Sequence, residues 1–300
     1  MATVLAVLLF GLVSTGPWIY QPVGAAPVGQ RCEQAAWLGE EIVAACRDGL
    51  WRGRPHELRL LIPCGHDGGA APQLKAWGRH LIASCACGLF LIQPSGITSL
   101  GAPGRPGALA ATVARGLVVE VDGCLWHWAG PATGATCLHC LPEGSVADLR
   151  WQGAALWILR WKGSRRLVEG RLERVGGPGG AWIWSDAFGR THWVDSLGHR
   201  WTAASGELPV LRPPLRLLAG EHVRSVRALA GGLWVASGRR WWWRGPDSGL
   251  VGGRLPALAE KMIPVRPQQA GLAPPWLLGR HRFYRPRRSL MGAKRPCKTV

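Results

Sequence analysis

Asparagine is absent from the 300 residues, and tyrosine, methionine and phenylalanine number only two, three and four. Without asparagine there is no N-glycosylation sequon. Acidic side chains are half as common as basic ones, 18 against 36, which leaves a formal charge of +18. That excess points to anionic partners: a polyanion, a membrane surface or a small ligand carrying carboxylates. Of the basic residues 31 are Arg, and Gly, Ala, Pro and Trp abound. We read this as a coding sequence rich in G and C, so part of the charge is compositional drift. Beyond the N-terminus no segment approaches the roughly 18 uninterrupted apolar residues of a membrane helix. No His-Glu-x-x-His zinc motif occurs, since His56-Glu57 is followed by Leu-Arg-Leu. Neither a nucleophile–base pair nor a carboxylate dyad stands at meaningful spacing, so no enzyme is expected.

What is present is enough apolar material, 47% of residues against 18% charged, to build a core. Val4 to Val13 is an apolar run too short to span a bilayer, and Ala25-Ala26 are small residues of the kind that precede signal cleavage. Residues 1–26 therefore read as a signal peptide and the chain as secreted, although no basic segment precedes the run. The alternative is a buried N-terminal strand or helix. In a secreted chain the nine cysteines are expected to form disulfides with one thiol left over. Eight of them lie at or before Cys140, and only Cys297 follows. Zinc is the competing use, suggested by Cys137-Leu-His-Cys140, but no second ligand pair at a fixed spacing accompanies it.

The most informative feature is an internal repeat. Val226-Arg-Ala-Leu, Gly231-Gly232, Leu233-Trp-Val-Ala-Ser, Gly238-Arg-Arg and Trp241-Trp-Trp read as strand, turn, strand, turn and aromatic strand. Anchored on the apolar strand, seven copies start at 50, 89, 117, 156, 182, 233 and 276. The gaps are too uneven for a solenoid but suit propeller blades with unequal outer strands. Most of the 18 tryptophans then belong between blades. Trp241 to Trp243 cannot all be core, because successive strand residues face opposite ways.

Leu125-Trp-His-Trp128, Ala147-Asp-Leu-Arg-Trp-Gln-Gly153 and Gly238-Arg-Arg-Trp-Trp-Trp243 resemble the repeats of the hemopexin family. The resemblance implies an all-β chain of two hemopexin-type propellers. The first, of four blades, would span 32–175 and the second, shortened, 181–300, with a Gly/Pro linker at 175–180. It also implies bridges between the beginning and end of each propeller. Cys32 fits the start of the first, but Cys297 has no candidate partner within 178–296. Ala204 to Leu218 stands where a further blade of the second propeller is expected, so that blade is either missing or degenerate.

The same resemblance implies haem as ligand and a clearance receptor on cells as partner. Gly189-Arg-Thr-His192-Trp193 is similar to a family segment whose His is an axial iron ligand. This assigns His192 to the haem iron, Trp193 and Trp201 (with Trp184 near) to apolar walls, and Arg190 and Arg200 to the propionates. The family's second ligand sits in a His-rich linker, and residues 174–180 contain no His. His199, His127 and His139 are the remaining candidates for that second ligand. The leading expectation is a secreted, monomeric haem transporter without nucleic-acid partners. The alternative is a hemopexin-repeat binding module that has lost haem and holds extracellular proteins or polyanionic glycans. A third use, nucleic-acid or membrane binding by the basic C-terminus from Arg280 to Lys298, is weaker, because such a run reads more simply as a solvated tail.

Overall fold

In the computed structural model the described residues are 18–25, 32–55, 57–64, 73–142, 146, 148–152, 154–160, 163–175, 182–185, 191–195, 197, 199–203, 210–212, 222–229, 232–238, 240–244, 250–255, 262–266, 275–279 and 282–288. Among them every regular element is a strand. Short alternating segments separated by Gly turns cannot bury both faces alone, so they pair into small sheets that stack face to face.

Twenty-eight strands make five sheets of four and one sheet of eight. Each four-stranded sheet is an antiparallel meander of consecutive strands. They are β6–β9 (Gln73–Ser99), β10–β13 (Pro106–Cys140), β14–β17 (Asp148–Val175), β18–β21 (Trp182–Arg212) and β22–β25 (Val223–Arg254). The sheet of eight is two blades side by side. One is β2 (Cys32–Leu38), β3 (Glu41–Cys46), β4 (Gly49–Gly53) and β5 (Arg59–Pro63); the other is β26 (Met262–Arg266), β27 (Leu277–Gly279), β28 (Arg282–Arg288) and β1 (Trp18–Ala25). A short parallel bridge, Ala35 to Val265 and Ala36 to Arg266, joins the two innermost strands. Counted so, the described strands form seven blades, numbered one to seven from β2. The seventh takes its outer strand from the other end of the chain, since β1 runs antiparallel to β28 from Trp18↔Arg288 to Ala25↔Arg282.

Packing runs from blade to blade. Seam one–two is filled by Ala36, Val43, Leu50, Leu74, Leu81 and Ile92, and seam two–three by Ile82, Leu89, Leu109, Val119 and Trp128. Seam three–four holds Val118, Leu125, Leu149 and Ile158, and seam four–five Trp157, Leu159 and Trp193. Seam six–seven contains Trp234, Trp241, Trp243 and Leu277, and seam seven–one Ile42, Ala44, Val265 and Leu278.

Several expectations change here. The all-β propeller class is right, but two separate propellers are not found. Blade four packs on blade five, and the pairing of β1 with β28 and β2 with β26 closes one ring. Of the join at 175–180, Val175 ends β17 and the rest lies outside the described residues. No blade is missing around Ala204 to Leu218, because Val210–Arg212 is the outer strand of blade five. The two bridges among the described residues, Cys32–Cys46 and Cys124–Cys140, each lie within one blade rather than joining propeller ends. Cys297 lies outside the described residues. The strand β1, Trp18–Ala25, lies inside the 1–26 segment.

The triple tryptophan behaves as its alternation requires. Trp241 and Trp243 are buried in seam six–seven, while Trp242 is half-buried on the other face beneath the Arg240 guanidinium, 5.6 Å from its ring. Its cross-strand partner is Gly252, where a Cβ would come within 2.8 Å of the Trp241 carbonyl and 3.2 Å of the Trp242 ring.

Candidate functional site

Blade five carries the residues expected to hold haem. On β19 (Thr191–Val194), His192 pairs with Trp184 of β18 (Trp182–Ser185) and Thr202 of β20 (Arg200–Ala203), whereas Trp193 pairs with Ile183 and Trp201. Strand alternation therefore divides them between two faces. Trp193 is 1% exposed and meets Trp157 of blade four edge-on, ring centres 5.6 Å apart, with Trp201 packed beside it. His192, half-buried, lies on the opposite face with Arg200, toward blade six. The structure thus puts His192 and Arg200 on one face, diagonal across β19 and β20, with Trp193 and Trp201 on the other. Arg190 lies outside the described residues.

The second-ligand candidates have other occupations. His199 Nδ1 is 2.8 Å from Asp195 Oδ2, and Asp195 Oδ1 accepts the backbone N–H of both Leu197 and His199, so this pair closes the β19–β20 turn. His127 Nε2 contacts the Arg115 carbonyl at 2.9 Å, and His139 stands opposite Leu125. Both belong to blade three, two blades from His192.

Three charged groups meet along the innermost strands, a cluster that sequence did not reveal. Lys75 on β6 (Gln73–Trp77) reaches Asp148 on β14 (Asp148–Gln152) at 2.9 Å, across the innermost strand of blade three, β10 (Pro106–Thr112). Arg150 closes on the same carboxylate at 2.9 Å. Burial is the largest single influence on Asp148 and would raise its pKa, but Arg150 and Lys75 together outweigh it and hold the group down at about 2. Near the axis one anion thus faces two cations. The inner strands are also tied by amides: Gln34 Oε1 accepts Leu74 N–H at 2.8 Å, and Gln73 Oε1 accepts Leu109 N–H at 3.3 Å.

The strongest basic feature is β28. Arginine occupies four of its seven positions: Arg282, Arg285, Arg287 and Arg288. This segment is an ordered strand of blade seven, not a tail. Arg285 and Arg287 are exposed and share a face by alternation. The Arg285 guanidinium lies 5.9 Å from the Trp276 ring, and Trp276 meets Trp37 of blade one edge-on at 5.3 Å. Tyr284, on the other face, packs toward seam six–seven.

Two sulfur groups lie elsewhere on the ring. Cys137 has its Sγ 3.9 Å from Cys140, which is already bridged to Cys124. The zinc use of Cys137 and Cys140 is therefore not open in this structure. Cys64, Cys85 and Cys87 meet at seam one–two as thiols. Contact with Cys64 holds the Cys85 thiol down at about 6 despite burial, while the Cys85 contact and burial push Cys64 up.

No family model and no curated protein matches the chain. Solved propellers do. One described as YCF48 bound to D1 peptide is 10% identical with a TM-score of 0.62, over 91% of this chain and 97% of that one. BBS1N in complex with ARL6DN is 13% identical with a TM-score of 0.59, over 91% and 98%. The extracellular domain of BT4673, a putative one component system of B. thetaiotaomicron, is 12% identical with a TM-score of 0.60 over 88% of this chain. The chain spans about two fifths of that domain's length, 39%. At such identities the likeness is one of fold: this chain is similar to single β-propellers.

Proposed function

We propose that this chain is an extracellular, non-catalytic binding module whose basic strand β28 receives a polyanion, with a sulfated glycan as the favoured class. The observation that carries it is the arginine content of β28, with Arg285 and Arg287 exposed on one face and Arg285 set over Trp276. A guanidinium on a planar ring is pre-oriented, and its fork matches the oxygens of sulfate or carboxylate. The overall charge of +18 adds long-range attraction. Both disulfides suit an oxidising compartment. The similar propellers include one solved with a peptide and one with a protein partner, so an acidic protein segment is the competing source of the same charge.

The test is retention on immobilised heparin, beside immobilised poly-glutamate, across a salt gradient. The wild type is expected to elute from heparin at higher salt than Arg285→Ala/Arg287→Ala, and the slope of log affinity against log salt should fall by about two, near one per lost contact. Equal elution of both proteins would sink the assignment to β28. Retention on poly-glutamate alone would move the partner to an acidic protein.

Haem carriage is the second reading, favoured by the shared face of His192 and Arg200. A hemin titration of wild type beside His192→Ala checks it. A saturable Soret shift lost in the variant supports ligation by His192, and identical traces reject it.

A further inference from the structure

Blade two repeats blade one with one substitution that strands a sulfur. In blade one Cys46 ends the second strand and is bridged to Cys32 across the sheet. Cys85 ends the second strand of blade two, β7 (His80–Cys85), at the equivalent place. Gln34 and Ala45 of blade one correspond to Gln73 and Ser84 of blade two, and the same step along the sequence takes Cys32 to Ala71. The blade-one bridge therefore has no counterpart here, and Cys85 meets two other thiols instead.

Those thiols arrive from both sides of seam one–two. Cys87 sits in the turn that follows β7, and its Sγ is 3.2 Å from that of Cys85. Cys64 follows β5, is anchored by its N–H on the Asp48 carbonyl at 3.0 Å, and has its Sγ 3.7 Å from Cys87. All three sulfurs lie within 4.8 Å of one another. Cys64 and Cys85 are 2% and 1% exposed, while Cys87 is at the surface. Ala45, Leu50, Ala83 and the edge of Ile62 pack around them. The result is a sulfur-lined pit with a dry base and one ligand at its mouth.

We propose that Cys64, Cys85 and Cys87 form a three-thiolate site for Cu(I). A cation bonded to sulfur at about 2.3 Å spaces three trigonal sulfurs at about 4 Å, close to the separations present. The grouped donors are all sulfur, without imidazole or carboxylate, which selects soft cations. Zn(II) prefers four ligands, whereas a monovalent d10 ion is satisfied by three. Binding exchanges thiol protons for the metal and releases them to solvent. The apolar wall limits access of water and oxidant to the two inner sulfurs. Blades one and two, joined by apolar contact, the Gln34 amide and the Arg52 guanidinium, which donates to the Gln93 and Pro94 carbonyls, would then share a metal link.

The experiment uses the full chain purified without air and titrated with Cu(I) against bicinchoninate as a competing chromophoric chelator. One equivalent per chain should be withheld from the chelator, with three sulfur neighbours in the copper X-ray absorption spectrum. Cys87→Ser, at an exposed position, should weaken retention at least tenfold, while Cys137→Ser leaves it unchanged. Cys64→Ala gives a second measure of the same loss. Three results each overturn the proposal: a disulfide among the three cysteines in unreduced protein, copper held as tightly by Cys87→Ser, or displacement of Cu(I) by equimolar Zn(II).

Discussion

Seam one–two is packed by Ala36, Leu38, Val43, Ala45, Leu50, Leu74, Leu81, Ala83 and Ile92 with two buried thiols, and among the described residues contains no tryptophan. Seam six–seven fills a similar wedge with Trp234, Trp241 and Trp243 beside Ala236, Leu255 and Leu277. The first distributes burial over many small side chains and adds specific ties: Gln34 to Leu74, and nearby the Cys32–Cys46 bridge. The second concentrates it in three large ones. Both exclude water, but they place the risk differently. A small truncation in seam one–two leaves many contacts intact, whereas one lost indole in seam six–seven opens a cavity that few neighbours can close.

The largest expected effect tests that contrast. Trp243→Ala should cost about 3–5 kcal/mol in chemical denaturation, against about 0.5–1.5 kcal/mol for Ile92→Val in the aliphatic seam. Equal losses would show that the two seams share load alike. Next, replacing both Cys124 and Cys140 by Ser should cost about 3 kcal/mol, the chain-entropy value for a loop of roughly this length, which closes across 16 residues. No loss would mean that blade three holds its outer strand by hydrogen bonds alone.

Asp148 gives a pH signature. Its pKa is depressed from 3.8 to about 2 in the folded chain. Its contribution is therefore complete above about 4 and lost as pH falls through about 2, a difference of about 2 kcal/mol. Asp148→Asn should flatten that acid limb of the stability curve. An unchanged limb would mean that Lys75 and Arg150 find other partners. The smallest effect is assigned to Gln73→Ala. It strips an acceptor from the Leu109 N–H, a part-buried bond of 3.3 Å, and should cost about 0.5–1.5 kcal/mol, with exchange of that amide speeding up by the same free energy.

The blades were legible because each has an apolar second strand, and seven copies were counted. Their phase was not. Leu50 and Leu89 lie on third strands, Leu117, Leu156 and Leu233 on second strands, and Trp182 opens a first strand. Adjacent strands of a blade are all apolar at their centres, so an apolar-Trp anchor cannot tell them apart. Aligned on second strands, the starts fall at 41, 80, 116, 155, 191, 232 and 277, with gaps of only 36 to 45. The 4 + 3 division was a consequence of that mixed phase and of the Gly-rich join.

At the haem segment the residue types were visible, but their faces were lost. His192 and Trp193 are neighbours in the chain and therefore opposed in the sheet. The sulfur pit was beyond reach for another reason. Its ligands come from two blades, and only the ring decides that the segment after β5 returns beside the turn after β7. The arginines of β28 were seen and read as a solvated tail, although the copy that starts at Trp276 reached as far as Tyr284. Pro286 is tolerated at β28, where it stands opposite Tyr20 in the outermost pair.

That outermost pair also sets a clock. Trp18 meets Arg288 only after the other six blades have been made, so β1, the earliest of the described strands, is among the last to find its place. Until then the six preceding blades can stack one after another, but blade seven has an open edge and β1 waits unpaired. Contacts of such sequence separation are slow to form. The interval between making β28 and closing the ring is then the time in which two nascent copies can exchange their β1 strands.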